Sequence, residues 1–278
     1  MIGIEERINS GIRVARVHYL ADEQKRGGEW QAQARQGLSE RDWRREYEID
    51  WTIAAGLGVY SELFAREFHV AKDELCAYSH KPILRGWDFG LNPACVWGQV
   101  DPSGRLLILA EMVTWDGRGE QRQQGIDRLC PQVIAYGNQE FPGMEYRDWA
   151  DPAGWAKAQT DEKTCVQIMG KHGIHPAKGQ VTFTARRTAM NNILQKSTMG
   201  HSAILLDSRC KMLIEGFQGA YQYRQLGETG RYTEDVEKNA WSHPMDALSY
   251  LAGGIFTVGG RREEVFPRAG KPDKVTGY

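Results

Sequence analysis

The sequence has 278 residues, of which 41% are hydrophobic and 10% aromatic, so it can bury a core in one large domain or two small ones. Its formal net charge is −1, which excludes binding to nucleic acid through an overall excess of basic residues. Any such contact would need a local cluster of lysine and arginine side chains.

The cysteine and histidine residues form no recognisable framework. None of the five cysteines pairs at Cys-x-x-Cys spacing, and the seven histidines follow no zinc-binding pattern. This usage is typical of reduced thiols in an intracellular protein. The N-terminus does not read as a signal peptide, and no run approaches the roughly 18 apolar residues of a membrane helix. The sequence therefore predicts a soluble protein that does not associate with membranes.

The first 80 residues differ in pattern from the rest. A short strand is predicted at 13–22, an irregular polar stretch at 21–37, and a helix at 38–51. Residues 56–70 then carry apolar side chains that we expect to pack on the main domain. These are Val59, Tyr60, Leu63, Phe64 and Phe68. We interpret residues 1–80 as a linker or extension that packs on the following domain.

A regular pattern begins at about residue 81. Strands are predicted at 82–90, 94–100 and 105–113, and the Asp-Pro-Ser-Gly turn at 101–104 would join the last two as an antiparallel hairpin. Strands then alternate with helices. This order predicts an α/β domain, a mixed β-sheet flanked by helices on both faces.

The end of this domain is predicted to contain a ribbon and a long helix. Residues 221–235 indicate a two-stranded ribbon around a glycine turn, and 242–256 indicate a helix with Asp246 in its first turn. The domain would run from 81 to 258. Residues 259–278 are charged and contain glycine and proline, which is typical of a flexible tail.

Three aspartates occupy comparable positions in this scheme. Asp88 lies near the end of the first strand between Trp87 and Phe89, Asp151 ends the strand before Pro-Ala-Gly, and Asp246 opens the last helix. Taken singly, Asp151 is typical of a turn and Asp246 of a helix start. Together, three clustered carboxylates would repel one another unless a hard divalent cation neutralised them, and oxygen ligands favour Mg²⁺ or Mn²⁺. Such a cluster would suit hydrolysis of phosphodiesters with two metal ions.

These stretches resemble the C-terminal nuclease domain of the large terminase subunit of tailed bacteriophages. The stretch LRGWDFGLNPACVWGQVDPSGRLLILAE is similar to the first nuclease motif of that family, and DWADPAG is similar to the second. The most specific similarity is to the third motif, in LIEGFQGAYQYR…KNAWSHPMDALSYLAGG. The segment REYEIDW…GLGVYSELF resembles the connection between motor and nuclease in that family. The resemblance covers most of residues 40–256.

The resemblance implies a fold, an activity and a set of partners. The fold would be RNase H-like, and Asp88, Asp151 and Asp246 would be the catalytic residues that hold two divalent cations, Mg²⁺ or Mn²⁺. The activity would be endonucleolytic cleavage of double-stranded concatemeric viral DNA during genome packaging, in the host cytoplasm. A packaging ATPase motor, a portal and a small terminase subunit would be partners. The sequence has no G-x-x-x-x-G-K-[ST] motif, so no ATPase is predicted for this chain.

Basic residues near the third motif are candidate DNA contacts. They are Arg186, Arg187, Arg224, Arg231, Lys238 and His243. Lys238 and His243 precede Asp246 closely enough to approach the scissile phosphate. Glu111 ends a strand and is a candidate fourth acid that the resemblance does not require.

Three alternatives remain open from the sequence. A resolvase or transposase nuclease of the same fold would use the same metals. A sugar-kinase or actin-like phosphotransferase is suggested by Gly-Trp-Asp-Phe-Gly, although Leu91 and Asn92 stand where that superfamily usually has serine or threonine. In a non-catalytic packaging scaffold, the three acids would be structural. The sequence specifies neither the host and packaging strategy nor the preferred metal and oligomeric state.

Overall fold

A computed structural model describes most of the chain, namely residues 3–9, 12–36, 43, 46–49, 57–90, 92–117, 124–157, 163–198, 200–226 and 231–256. The tail expected at 259–278 and most of the helix expected at 38–51 lie outside these residues. No helix in the described ranges combines the length and apolar character needed to cross a membrane.

The N-terminal segment contains more regular structure than its sequence pattern predicts. Strands β1 (Ile4–Asn9) and β2 (Ile12–Val17) form an antiparallel hairpin where a single strand was expected. Helix α1 (Gly28–Ala34) lies within the stretch expected to be irregular. Its glutamine and alanine residues favour a helix despite Gly27 at the N-cap and Gly28 as the first residue.

Residues 57–75 pack against the main domain, and this includes the short helix α2 (Arg66–His69). Tyr60 is 1% exposed within the core, and Val59, Leu63 and Phe64 pack against that core as expected. Phe68, expected to do the same, is instead 42% exposed.

In the described part of the chain, six strands form the central sheet. They are β3 (Ile83–Asp88), β4 (Ala94–Val100), β5 (Leu106–Val113), β6 (Tyr146–Ala150), β7 (Ala177–Lys178) and β10 (Ile204–Leu206). Their order across the sheet is β10-β5-β4-β3-β6-β7, and neighbours are parallel except that β4 runs antiparallel to both β3 and β5. Two further strands, β8 (Ser197–Thr198) and β9 (His201–Ser202), form a small hairpin before β10.

Helices cover both faces of this sheet, which confirms the expected fold class. One core layer lies under α3 (Ile126–Glu140) and α4 (Cys165–Lys171). The other lies under α5 (Phe183–Gln195), α6 (Lys211–Glu215) and α7 (Ser242–Ile255). A ribbon of β11 (Tyr223–Gln225) and β12 (Tyr232–Val236) lies between α6 and α7 in the chain, as predicted.

Two local predictions are wrong in detail. Pro131 was expected to break or kink its helix, but α3 continues through it; as the sixth residue, the proline removes a single backbone hydrogen bond, the one to the Asp127 carbonyl. Helix α7 begins at Ser242, so Asp246 is its fifth residue and lies just beyond the first turn.

The packing of α7 on β3 fixes the position of Asp246 relative to Asp88. A Cβ atom on Gly86 in β3 would lie 2.1 Å from the carbonyl oxygen of Ala247 in α7. Only glycine permits this approach. The backbone of α7 therefore lies directly on the central strand that ends at Asp88.

Candidate active site

Asp88 is the last residue of β3 and is buried, with 5% of its surface exposed. Its Oδ2 atom lies 2.8 Å from His243 Nδ1 and 3.3 Å from the backbone nitrogen of Gly90. An ionised carboxylate only accepts hydrogen bonds, so Nδ1 is the donor. Burial raises the pKa of Asp88, the hydrogen bond from His243 lowers it, and the charge of Asp246 raises it again, with a net increase. Asp88 and Asp246 are therefore close enough to interact electrostatically.

Asp246 lies on the buried side of α7 with 3% of its surface exposed. Tyr221 donates its hydroxyl to Oδ1 at 2.9 Å, and Lys238 donates its ammonium to Oδ2 at 2.8 Å. The guanidinium of Arg186 lies 3.7 Å from Oδ1. Both oxygens of Asp246 thus face protein donors.

Asp151 follows β6 at the same edge of the sheet. Its backbone nitrogen donates to the carbonyl of Trp87 at 3.1 Å, which continues the parallel register and puts Asp151 beside Asp88. Its Oδ1 atom accepts from the backbone nitrogen of Ala153 at 2.9 Å and caps a 3-10 helix over Pro152–Trp155. Asp151 is therefore a cap as well as a neighbour of Asp88.

Tyr250 connects the three carboxylates electrostatically. It lies one turn after Asp246 in α7, and its ring lies 4.3 Å from the guanidinium carbon of Arg186. Burial raises its pKa, Arg186 lowers it, and the charges of Asp151, Asp246 and Asp88 raise it further, so the net pKa is well above the usual value. All three acids predicted from the sequence thus influence one phenol group.

In this conformation the three carboxylates are not grouped closely enough to bind one metal ion together. In the part of the chain that the structure describes, no three histidine, cysteine, aspartate or glutamate side chains are grouped so that they could hold one ion. The donor chemistry nevertheless fits a hard divalent cation, since all three residues offer carboxylate oxygens. Asp88 Oδ1 and Asp151 Oδ2 accept no hydrogen bond from a described residue. The misfit lies at Asp246, whose oxygens face Tyr221, Lys238 and Arg186.

Three of the six candidate DNA contacts lie against these carboxylates. Arg186 is buried beside Asp246 with 8% of its surface exposed, Lys238 also binds Asp246, and His243 binds Asp88. Arg186 is thus largely buried beside Asp246.

The other three candidate DNA contacts are on or near the ribbon. Arg187 donates to the Tyr223 hydroxyl at 2.6 Å, Arg224 pairs with Asp235 at 2.9 Å, and Arg231 is exposed just before β12. These three contact none of the three carboxylates in the structure.

Two residues of the site were missed by the sequence analysis. Tyr250 follows Asp246 by four residues on a helix, a spacing that places two side chains on one face and could have identified it. Tyr221 approaches Asp246 from the turn after α6, and no local pattern in the sequence indicates that contact.

Glu111, the candidate fourth acid, has a different role. It lies on β5, and its carboxylate accepts from the backbone nitrogens of Met212 and Leu213 at 2.7 and 2.9 Å, at the start of α6. Burial raises its pKa to about 7, these two hydrogen bonds oppose the increase, and the charge of Glu215 adds to it. Glu111 therefore fixes α6 to the sheet.

Comparison with known proteins finds likeness at the level of the fold. No protein-family model and no curated protein sequence matches the chain. One solved structure of the large terminase from the thermophilic bacteriophage D6E has a TM-score of 0.55 at 15% identity, over 85% of this chain and 54% of that one. The same terminase in complex with ADP gives a TM-score of 0.58 at 14% identity, over 86% and 55% of the two chains.

The complex of that terminase with ATP-gamma-S has a TM-score of 0.55 at 15% identity and covers 84% of this chain. This chain spans about half the length of the terminase, with 54% of it covered in that comparison. The chain therefore has a large-terminase-like fold.

Proposed function

We propose that this chain is a metal-dependent endonuclease that cuts double-stranded concatemeric viral DNA during genome packaging. The fold likeness to a phage large terminase supports a role in packaging. The observation that carries the nuclease proposal is the convergence of two buried carboxylates. Asp88 ends strand β3, and Asp246 lies on helix α7, which packs directly on that strand, so the charge of Asp246 raises the pKa of Asp88. Buried carboxylates that perturb each other are costly and are typical of functional sites.

Asp88, Asp151 and Asp246 would hold the divalent cations, Mg²⁺ or Mn²⁺. Bound there, such ions supply an activated water and stabilise the leaving oxygen of a phosphodiester. The residues of the chain position the three carboxylates. Strands β3 and β6 hold Asp88 and Asp151 side by side. Helix α7 carries Asp246, and the Tyr221 hydroxyl orients the Asp246 carboxylate.

The expected partners follow from the same proposal. Double-stranded DNA would be the substrate, and a packaging ATPase motor would deliver it to the site. A portal and a small terminase subunit would complete the assembly. Delivery by a motor raises the effective concentration of DNA, which suits a chain whose net charge is only −1.

A plasmid-nicking assay with Mn²⁺ or Mg²⁺ tests the activity. The wild-type chain should nick supercoiled DNA, and Asp88→Asn, Asp151→Asn and Asp246→Asn should each abolish nicking with the fold retained. Asp127→Asn is the matched control, because Asp127 is 73% exposed on α3 and contacts His172, away from the three acids. Cleavage of linear duplex without preference for four-way junctions separates a terminase nuclease from a resolvase.

A packaging scaffold is the second candidate. The observation that favours it is the absence, within the described ranges, of three grouped side chains that could hold an ion. Wild-type protein that cuts no DNA with either metal, even in the presence of the motor, would lead us to adopt the scaffold role. The acids would then serve as structural partners of Lys238, Arg186 and His243.

A further inference from the structure

The two cations beside Asp246 differ in how firmly the fold holds them. Arg186 lies inside α5 with its side chain 9% exposed, and its guanidinium packs over the Tyr250 ring. The Lys238 side chain is 73% exposed, and only its ammonium reaches the 4% exposed Asp246 side chain. Arg186 is therefore a fixed charge, whereas Lys238 can leave by rotation of its own side chain.

The backbone on both sides of Lys238 is fixed. The Glu237 backbone nitrogen donates to the Gln222 carbonyl at 2.9 Å, and Gln222 donates from its side chain to Glu237 at 2.6 Å. Asn239 donates to the Ala220 carbonyl at 2.9 Å. Release of the ammonium thus requires no movement of the ribbon, and rotamer changes of exposed side chains are fast.

A groove provides the other place to which Lys238 can turn. It has a volume of about 300 Å³ and lies between α5, the ribbon and α7. Its charged lining residues are Arg186, Arg224, Lys238, Glu234, Asp235 and Asp246. A phosphate that entered this groove would meet the ammonium of Lys238 directly. Ammonium groups bind phosphate as compact point charges.

We propose that Lys238 is an exchangeable counter-cation of Asp246. Its ammonium binds the Asp246 carboxylate until a divalent ion displaces it, and the released ammonium then binds a phosphate of the DNA. This proposal rests on the proposed nuclease function. It accounts for the lack of a ready metal site among the described side chains, because the ammonium occupies Asp246 Oδ2. Metal and DNA then bind cooperatively, since each favours the position of Lys238 that the other needs.

Mn²⁺ affinity, measured on the full chain by electron paramagnetic resonance of the free ion, tests the exchange. Lys238→Met should bind Mn²⁺ more tightly than the wild type, by about 5- to 150-fold, the usual range of coupling between two ligands. Lys238→Arg keeps the charge and should retain the weak wild-type affinity. Lys25→Met removes a lysine that pairs with Asp22 instead, outside the proposed site, and it should leave Mn²⁺ affinity unchanged.

The direction of this effect makes the test sharp, because misfolding cannot tighten metal binding. Equal or weaker Mn²⁺ binding by Lys238→Met would overturn the exchange. If that variant and the wild type both fail to bind Mn²⁺ at millimolar concentration, the metal site itself is refuted and the nuclease proposal falls with it. If the wild type binds Mn²⁺ and cleaves DNA, but Lys238→Met binds Mn²⁺ no more tightly, only the exchange is refuted and the nuclease proposal stands.

A second measurement tests the destination of the ammonium. A duplex with non-cleavable phosphorothioate linkages should tighten Mn²⁺ binding to the wild type and have little effect on Lys238→Met. An equal effect of the duplex on both proteins would refute the transfer of Lys238 to phosphate.

Discussion

His243 and Asp88 are 155 residues apart in the sequence and are joined by a hydrogen bond of 2.8 Å between Nδ1 and Oδ2. This bond links the central strand β3 to the helix α7 that carries Asp246. It also leaves Asp88 Oδ1 without a hydrogen-bond partner among the described residues. The histidine thus fixes one oxygen of the carboxylate while the other is available to a ligand.

Replacement of His243 by asparagine should preserve this relationship. In both residues the donor nitrogen is bonded directly to Cγ, whereas in glutamine it lies one bond further along. We expect His243→Asn to retain nicking activity and stability, and His243→Gln and His243→Leu to lose activity. The loss in free energy of unfolding should be about 1.5–3 kcal/mol for leucine, the usual value of a hydrogen bond to a charged group. Equal behaviour of the asparagine and glutamine variants in urea denaturation and nicking assays would contradict this role.

Gly90 makes room for the His243 ring. A Cβ atom on residue 90 would lie 2.6 Å from Cε1 and 2.8 Å from Nδ1 of His243. Gly90→Ala should therefore displace the ring and cost about 1–3 kcal/mol, as overpacking does. The same change in a His243→Ala background should cost less, because the clashing ring is gone and only Asp88 Oδ2, at 3.2 Å, remains close. Gly28→Ala is the control, since a Cβ there meets no atom within 4 Å. An unchanged cost of Gly90→Ala in the His243→Ala background would refute the steric link.

Glu111 should make stability depend on pH. Its pKa in the folded chain is raised to about 7 by burial, whereas an unfolded glutamate has a pKa of about 4.3. The folded state therefore holds a proton that the unfolded state has lost, so this contribution is complete below pH 4.3 and is lost as pH rises through 7. The loss is on the order of 3 kcal/mol.

Urea denaturation between pH 4 and 8 measures this effect. The wild type should lose free energy of unfolding relative to Glu111→Gln as pH rises, because glutamine does not titrate. Glu67→Gln, at an exposed position on α2, should run parallel to the wild type. Parallel curves for the wild type and Glu111→Gln would show that Glu111 does not titrate in this range.

The buried pair of Arg85 and Asp148 should matter far more than the exposed pair of Arg224 and Asp235. Arg85 donates twice to Asp148, at 2.7 and 3.0 Å, and Trp87 donates to the same carboxylate at 2.7 Å. Asp148→Asn should cost about 3–5 kcal/mol because it leaves a buried guanidinium uncompensated.

Asp235→Asn is the matched control for Asp148→Asn. It breaks a pair whose side chains are 60% and 75% exposed, and it should cost about 0–1 kcal/mol. Similar losses in the free energy of unfolding for the two variants, measured by thermal unfolding, would show that burial of the Arg85–Asp148 pair does not increase its contribution to stability.

The sequence predicted the positions of the three acids, at two strand ends and near a helix start, better than it predicted their partners. Strand ends and a helix start are local patterns, so Asp88, Asp151 and Asp246 could be identified from spacing and from resemblance. The contacts of Arg186 and Tyr221 with Asp246 join segments that are distant in sequence. No local pattern indicates them, so the sequence identified Arg186 only as a candidate DNA contact and did not predict its burial beside Asp246. The same limit applies to α1, where propensity outweighed the glycines that suggested irregular structure.

The absence of a side chain at Gly86 lets the backbones of strand β3 and helix α7 pack in direct contact. Sliding of the helix along the sheet would drive the Ala247 carbonyl into the strand, so the backbone separation of Asp88 and Asp246 is set when the chain folds. Adjustment of the site is thereby confined to its rim, namely to rotation of Lys238 and to the short helix behind Asp151. Sequence change at that rim can alter which ligands enter without altering the spacing of the two buried acids.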